Sequence, residues 1–160
     1  MKGFALSLLQ KDETLSAWTD VRAPAHAVYA LVSDITRIPQ WSPETVSARW
    51  LDAKTFEARN RRRLGRWTTT SNVETAEPDR EFSFIVQAFG GDWTQWTFRL
   101  DSGPSENTTR LTESVRMCVP MPLTAVVFEL LFLWVRDRRA DLQANLEKSV
   151  ERIRMIIEEQ

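Results

Sequence analysis

Leu142, Leu146, Val150, Ile153 and Ile157 recur at steps of four, four, three and four, the spacing of one face of an α-helix. The positions between them, among them Asp141, Asn145, Glu147, Lys148, Glu151, Arg152 and Arg154, are mostly polar. The sequence therefore predicts a helix from roughly Asp137 to Glu158 with a single apolar stripe. Such a stripe has to be covered, and nearly everything apolar before it reads as strand. The expected cover is a curved antiparallel sheet wrapped around this helix, an arrangement that often leaves a cavity between the two.

The chain before the helix divides by its breakers. Leu15 to Arg22 reads as a first strand stopping at Pro24, with proline at the first position of a short helix through Val28, Tyr29, Leu31 and Val32 that ends near Ser33. Asp34 is placed to cap a second short helix, Ile35 to Ile38, and Pro39 and Pro43 bracket Trp41. From Thr45 the pattern alternates, giving strands at Thr45 to Leu51 and Phe56 to Arg63, then Arg66 to Ala76 and Glu81 to Phe89, then Trp93 to Asp101 and Thr108 to Val119. Gly65, Pro78 with Asp79, Gly90 with Gly91, and Gly103 with Pro104 mark the turns.

Strand parity sorts the side chains by face. One face carries Phe56, Ala58 and Asn60, then Trp67, Thr69, Ser71 and Val73. It continues with Phe82, Phe84 and Val86, with Trp96, Phe98 and Leu100, and with Leu111, Glu113 and Val115. This face is assigned to the concave side. Arg59, Arg61, Arg63, Glu74, Gln87, Arg99, Arg110 and Arg116 fall on the other, as a solvated surface requires.

The segment Ala23, Pro24, Val28, Tyr29, Leu31, Val32, Ser33 and Asp34, followed by Trp41, Ser42, Pro43 and Glu44, resembles the START-like helix-grip (SRPBCC) superfamily. More narrowly it resembles the branch of polyketide cyclase/dehydrase and lipid transport proteins. Phe56 to Asn60, Arg66 to Thr70 with Val73, Arg80 to Val86, Trp96 and Thr109 to Ser114 extend the likeness over about residues 15 to 157. The resemblance implies an α+β fold of order β-α-α-β6-α: about seven antiparallel strands curved around the long C-terminal helix. It also implies an apolar cavity for a lipid, polyketide or aromatic compound. It does not imply catalysis, because one cavity architecture hosts carriers and aromatase/cyclases alike. No catalytic set is carried over residue by residue.

Composition excludes several other classes. With 160 residues the chain fits one domain. A net charge of -1 argues against a nucleic-acid binder held by overall charge. A single cysteine, Cys118, and a single histidine, His26, leave no internal disulfide, no cysteine or histidine metal cluster and no triad needing two histidines, and a reducing cytoplasm is the expected compartment. Neither a Gly-rich phosphate loop nor a metal-ligand spacing is present, so neither metal nor nucleotide cofactor is expected. Met1 to Gln10 reads as a packing or disordered arm rather than a signal peptide.

The candidate ligand-binding residues follow from the inner face and the helix stripe. Trp41, Trp67, Phe84, Trp96 and Phe98 offer flat aromatic surface, which serves either stacking on a ligand or core packing. Leu142 and Leu146 face them from the helix. Asn60 can orient a ligand carbonyl or close an interior hydrogen bond. Glu113, between Leu111 and Val115, is the weak catalytic candidate: desolvation would raise its pKa and make it an acid, a base or a polar handle, unless it sits at an exposed strand end or pairs with an arginine. Arg59, Arg61, Arg62, Arg63 and Arg66 cluster at one hairpin and read as a solvated edge. His26 reads as a surface histidine.

Leu123 to Val135 is apolar nearly all round, interrupted by Glu129, and falls short of the roughly 20 residues that cross a bilayer. A buried helix, a lid over the ligand entrance, a dimer contact and a membrane-touching patch all fit it. The leading expectation is a carrier or sensor of an apolar small molecule. A cyclase/dehydratase-type enzyme and a module dimerising through residues 123–135 are the alternatives.

Overall fold

A computed structural model describes residues 9–88, 90–120 and 137–160. The first strand, β1 (Thr14–Val21), leads into helix α1 (Ala25–Val32) and a short 3-10 helix (Ile35–Gln40). Six strands follow: β2 (Thr45–Trp50), β3 (Thr55–Arg62), β4 (Gly65–Glu77), β5 (Glu81–Ala88), β6 (Gly91–Ser102) and β7 (Thr109–Met117). The long helix, here α2, spans Arg138–Glu158. The strands form one antiparallel sheet in the order β1-β7-β6-β5-β4-β3-β2, so the first strand closes against the last.

Local chemistry explains the boundaries. Pro24 stands one residue earlier than expected, as the extended N-cap of α1 rather than its first helical residue. The Asp34 carboxylate accepts from the Thr36 amide at 3.1 Å and starts the 3-10 helix, and Asp137 accepts from the Ala140 amide at 3.1 Å and starts α2; both occupy the orphan donors of a first turn.

The β3–β4 turn differs from expectation. Arg63, with φ of 53°, takes the left-handed conformation, while Gly65 is already in the ladder opposite Arg62. The turn is closed one pair earlier than the glycine suggested. At the β6–β7 turn a glycine is sterically required: a Cβ on Gly103 would come within 2.3 Å of the Thr108 hydroxyl.

Register shifts at Thr45/Ser47, Val73/Thr75 and Val86/Gln87 interrupt the ladders. Irregularities of this kind bend the bulged strand and curve the sheet. The concave side receives the residues that parity assigned to it: Phe56, Phe82, Phe98, Leu111 and Val115 are all buried. All five stripe residues of α2 are buried as well, and α2 packs along β1 and β7. Outward, Arg59, Arg61 and Arg63 are exposed, and Arg110 lies 4.1 Å over the ring of exposed Trp18 while pairing with Asp20 at 2.9 Å. His26 is exposed. Residues 123–135 and all but the end of the N-terminal arm lie outside the described residues; Leu9, near that arm's end, is buried in the core.

Candidate functional site

Because α2 rests toward β1 and β7, the inner faces of β3, β4 and β5 are left facing a space. A cavity of about 450 Å³ lies there, within the range that holds small organic ligands. The 3-10 helix and its exit bring Ile38, Trp41 and Pro43 to its wall, the sheet brings inner-face residues from β3 to β7, and α2 closes it with Leu142, Asn145 and Ser149.

Of the sequence-predicted site residues, Trp41, Asn60, Trp67, Phe84, Trp96, Phe98, Glu113 and Leu142 line this cavity. Leu146 does not. It is completely buried in the core instead, one helical turn beyond Leu142 and under the β1–β7 side. The aromatics divide into two kinds. Trp41 and Phe98 are packed edge to face, with centroids 6.4 Å apart and an 83° interplanar angle, and Phe56 meets Phe84 the same way at 5.0 Å and 77°; these build the wall. Trp67 and Trp96 are only partly buried and present flat surface to the cavity. The Trp96 indole N–H already donates to the Thr94 hydroxyl at 3.0 Å.

Asn60 is engaged within the fold. Its carbonyl oxygen accepts from the Thr45 hydroxyl at 2.9 Å, and its amide donates to the Thr69 hydroxyl at 3.3 Å. These bonds tie β2, β3 and β4 together along the cavity floor. Glu113 is different. On β7 it stands opposite Ala17 on β1 and Phe98 on β6 and is only 3% exposed. Its Oε2 has no hydrogen-bond partner among the described residues. Burial pushes its pKa from 4.5 up to about 8, with the Ser149 hydroxyl acting in the opposite direction, which favours the protonated form near neutral pH.

At the rim, the sequence reading of the arginine cluster needs correction. Arg62 shares parity with Phe56, Ala58 and Asn60 and therefore turns inward. Its guanidinium meets Asp141 of α2 at 2.5 Å and Glu44 at 3.2 Å. Arg138 completes the group, 2.9 Å from Asp141 and 3.6 Å from Glu44. All four side chains are 15–22% exposed, and Glu44 and Arg138 border the cavity. The hydrogen bond from Asp141 is the largest influence raising the pKa of Arg62, against the cost of its partial burial. Strand parity turns Arg62 inward, where Asp141 and Glu44 rather than solvent meet its charge.

Among the described residues no group of three or more histidine, cysteine or acidic side chains is placed to hold a metal, and no helix is long and apolar enough to cross a membrane. Cys118 is unpaired with any other cysteine and partly buried.

Comparison with known proteins places the geometry in context. The family model described as polyketide cyclase / dehydrase and lipid transport matches residues 21–142. The solution NMR structure of a Polyketide_cyc-like protein from Corynebacterium glutamicum is 30% identical, covering 92% of this chain and 93% of that one, with a TM-score of 0.59. The Zhui aromatase/cyclase from Streptomyces sp. R1128 is 16% identical over 91% of this chain and 93% of its own, with a TM-score of 0.65. A conserved protein from Geobacillus kaustophilus is 11% identical over 92% and 96%, with a TM-score of 0.71. The last two likenesses speak for the fold alone. No curated protein matches the chain.

Proposed function

The chain belongs to the polyketide cyclase / dehydrase and lipid transport family, and from that premise we propose that it binds an apolar small molecule in the cavity between sheet and α2, as a carrier or sensor. The observation that carries this reading is the cavity itself: about 450 Å³, walled by Trp67, Trp96, Phe84 and Leu142, its surface mostly apolar and broken by polar side chains such as Asn60, Thr69, Ser71 and Asn145. Space of this size lined by apolar atoms gains free energy in proportion to the ligand surface it removes from water. Trp67 and Trp96 give a flat or polycyclic body a stacking surface. Native mass spectrometry of the purified protein, followed by solvent extraction, tests it. A retained lipid or aromatic compound is expected; a protein that arrives empty and takes up no apolar probe overturns the reading.

A second reading, an enzyme of cyclase or dehydratase type, is favoured by one observation: Glu113, a buried carboxyl, is among the residues that line the cavity. In such an enzyme the ketone oxygen of a bound poly-β-ketone would take the Glu113 proton as an enol carbon of the same chain forms the new carbon–carbon bond. The carboxylate would then recover a proton from the enol oxygen, which becomes the second ketone. Relatives of this shape include one named as an aromatase/cyclase. Turnover of a polyketide mimic by the wild type, abolished in Glu113→Gln with affinity intact, would move the assignment from carrier to enzyme. Dimerisation through residues 123–135 is a separate matter, tested by concentration-dependent sedimentation.

A further inference from the structure

The β3–β4 hairpin ends in the most exposed large apolar side chain among the described residues. Leu64 is 72% exposed and stands in the turn between Arg63 and Gly65. Turns are ordinarily built from polar residues and glycine, and an apolar tip gains nothing from water. Val46, on the neighbouring edge strand, is 56% exposed and lies between the pairs Thr45–Asn60 and Ser47–Arg59, toward the same end of the sheet. Arg59, Arg61, Arg63 and Arg66 surround the tip, all of them exposed. Arg61 and Arg66 stand directly opposite each other in the ladder, a like-charge pair that works against the hairpin.

No carboxylate of the hairpin offsets these charges. From Ala58 to Val73 the chain carries no acidic residue. Glu57, the next acidic side chain on the outer face of β3, is taken by Arg49 at 3.3 Å, and Glu44 and Asp141 are engaged at the rim with Arg62 and Arg138. Arg59, Arg61 and Arg66 make no ion pair among the described residues. Four exposed arginines are thus gathered around one apolar tip on a chain whose net charge is -1. The tip also adjoins the cavity, because Arg66 and Trp67, just beyond the turn, line it, as does Glu44.

We propose that this hairpin tip docks the protein on the surface of an anionic phospholipid bilayer, with Leu64 and Val46 entering the boundary between headgroups and acyl chains and the four arginines set against the headgroup phosphates. A bilayer offers both things the tip presents a match for: a negative surface and an apolar layer just beneath it. Headgroup phosphates between Arg61 and Arg66 would also relieve their mutual repulsion. A nucleic acid supplies the charge alone. Its single strands are held by aromatic side chains on which bases stack, and the exposed Trp18 and Trp50 lie elsewhere, on β1 and at the far end of β2 opposite Phe56. Docked by this tip, the protein holds its cavity rim toward the membrane. Docking does not depend on what the cavity contains.

Vesicle sedimentation of the full chain tests this, with vesicles of phosphatidylcholine alone and of phosphatidylcholine mixed with phosphatidylglycerol. The wild type is expected to partition onto the mixed vesicles only and to be released by high salt. Arg59→Gln combined with Arg61→Gln should lower the partition about 25-fold, at about fivefold per arginine. Leu64→Ser should lower it several-fold with the charge unchanged. Arg99→Gln is the control: it removes one arginine level with Glu77 at the far end of β4 and should change nothing. Binding of anthracene, a flat apolar probe, in buffer is followed by tryptophan fluorescence and is expected to be equal in all four proteins. No binding to the mixed vesicles, or equal binding to phosphatidylcholine alone, overturns bilayer docking. So does a partition that falls with the arginine pair and not with Leu64→Ser while an RNA homopolymer binds tightly, which would assign the arginines to a nucleic acid. In each of these cases retained anthracene binding leaves the cavity reading standing.

Discussion

The two sides of the concave face obey the same alternation and end in different states. On the β1–β7 side, α2 sits directly on the sheet, and Leu111, Leu146, Val150 and Ile153 close into a dry core with almost no exposure. On the β3–β5 side the same inner parity delivers Asn60, Trp67, Thr69, Ser71 and Phe84 to a cavity. There α2 is joined to β3 through charge, by Arg62 and Asp141. One side is held by area removed from water and the other by a rim of ion pairs. A packed side and a cavity-lining side are thereby formed by different residues of a single sheet face. Glu113 stands at the seam, buried on a core strand and counted among the residues that line the cavity.

Four measurements test that division, beginning with the largest effect. Leu146→Ala removes a fully buried side chain and should cost about 2–5 kcal/mol in urea unfolding, with the affinity of the protein that remains folded nearly unchanged. A large affinity loss without destabilisation would erase the distinction between the two sides.

Glu113→Gln should alter the pH dependence of stability. The folded-state pKa of about 8 lies above the ordinary value of 4.5, so the folded protein keeps a proton that the unfolded chain has released between those values. The stability from this group is complete below about pH 4.5 and is lost as pH rises through about 8. The glutamine variant lacks that loss, so the wild type should lose on the order of 3–4 kcal/mol between pH 5 and pH 8.5 that the variant keeps, read by urea unfolding at the two pH values. Equal slopes in the two proteins would mean that Glu113 is not held neutral.

Arg62→Ala breaks the rim, leaving Glu44 and Asp141 to Arg138 alone. A loss of about 1–2 kcal/mol is expected, shrinking as salt is added because the pairs are partly exposed, together with faster release of a bound probe in stopped-flow fluorescence. The exposed neighbour Arg59, changed to alanine, is the control and should alter neither. The smallest effect on stability is expected for Trp67→Ala, below about 1 kcal/mol by urea unfolding, while anthracene affinity falls several-fold through lost stacking surface. If Trp67→Ala instead unfolds the protein, the cavity wall is core after all.

Much of the fold was legible because periodicity is local. The stripe of α2, the strand alternation, Asp34 as a cap, and Pro78 with Asp79 as a turn each need only a few neighbouring residues to be read. Gly65 misled because a turn is fixed by the pairing around it, and Arg62 pairs with Gly65, leaving Arg63 to take the positive φ. Parity names the inner face but cannot say which part of it α2 covers, and the helix stripe alone does not distinguish Leu142, which lines the cavity, from Leu146, which is buried in the core.

The sequence by itself determined the order of elements, the inner and outer parity of the strands, and that Glu113 shares the inner parity with Leu111 and Val115. Only the tertiary structure decided that Glu113 has an oxygen with no partner, that Asn60 is committed to Thr45 and Thr69, and that Arg62 reaches Asp141, 79 residues away. The physical reason is one of range. A face is set by backbone geometry over a few residues, whereas a hydrogen bond or a cavity is set by what packs across from that face, and the chain supplies it from a distant segment.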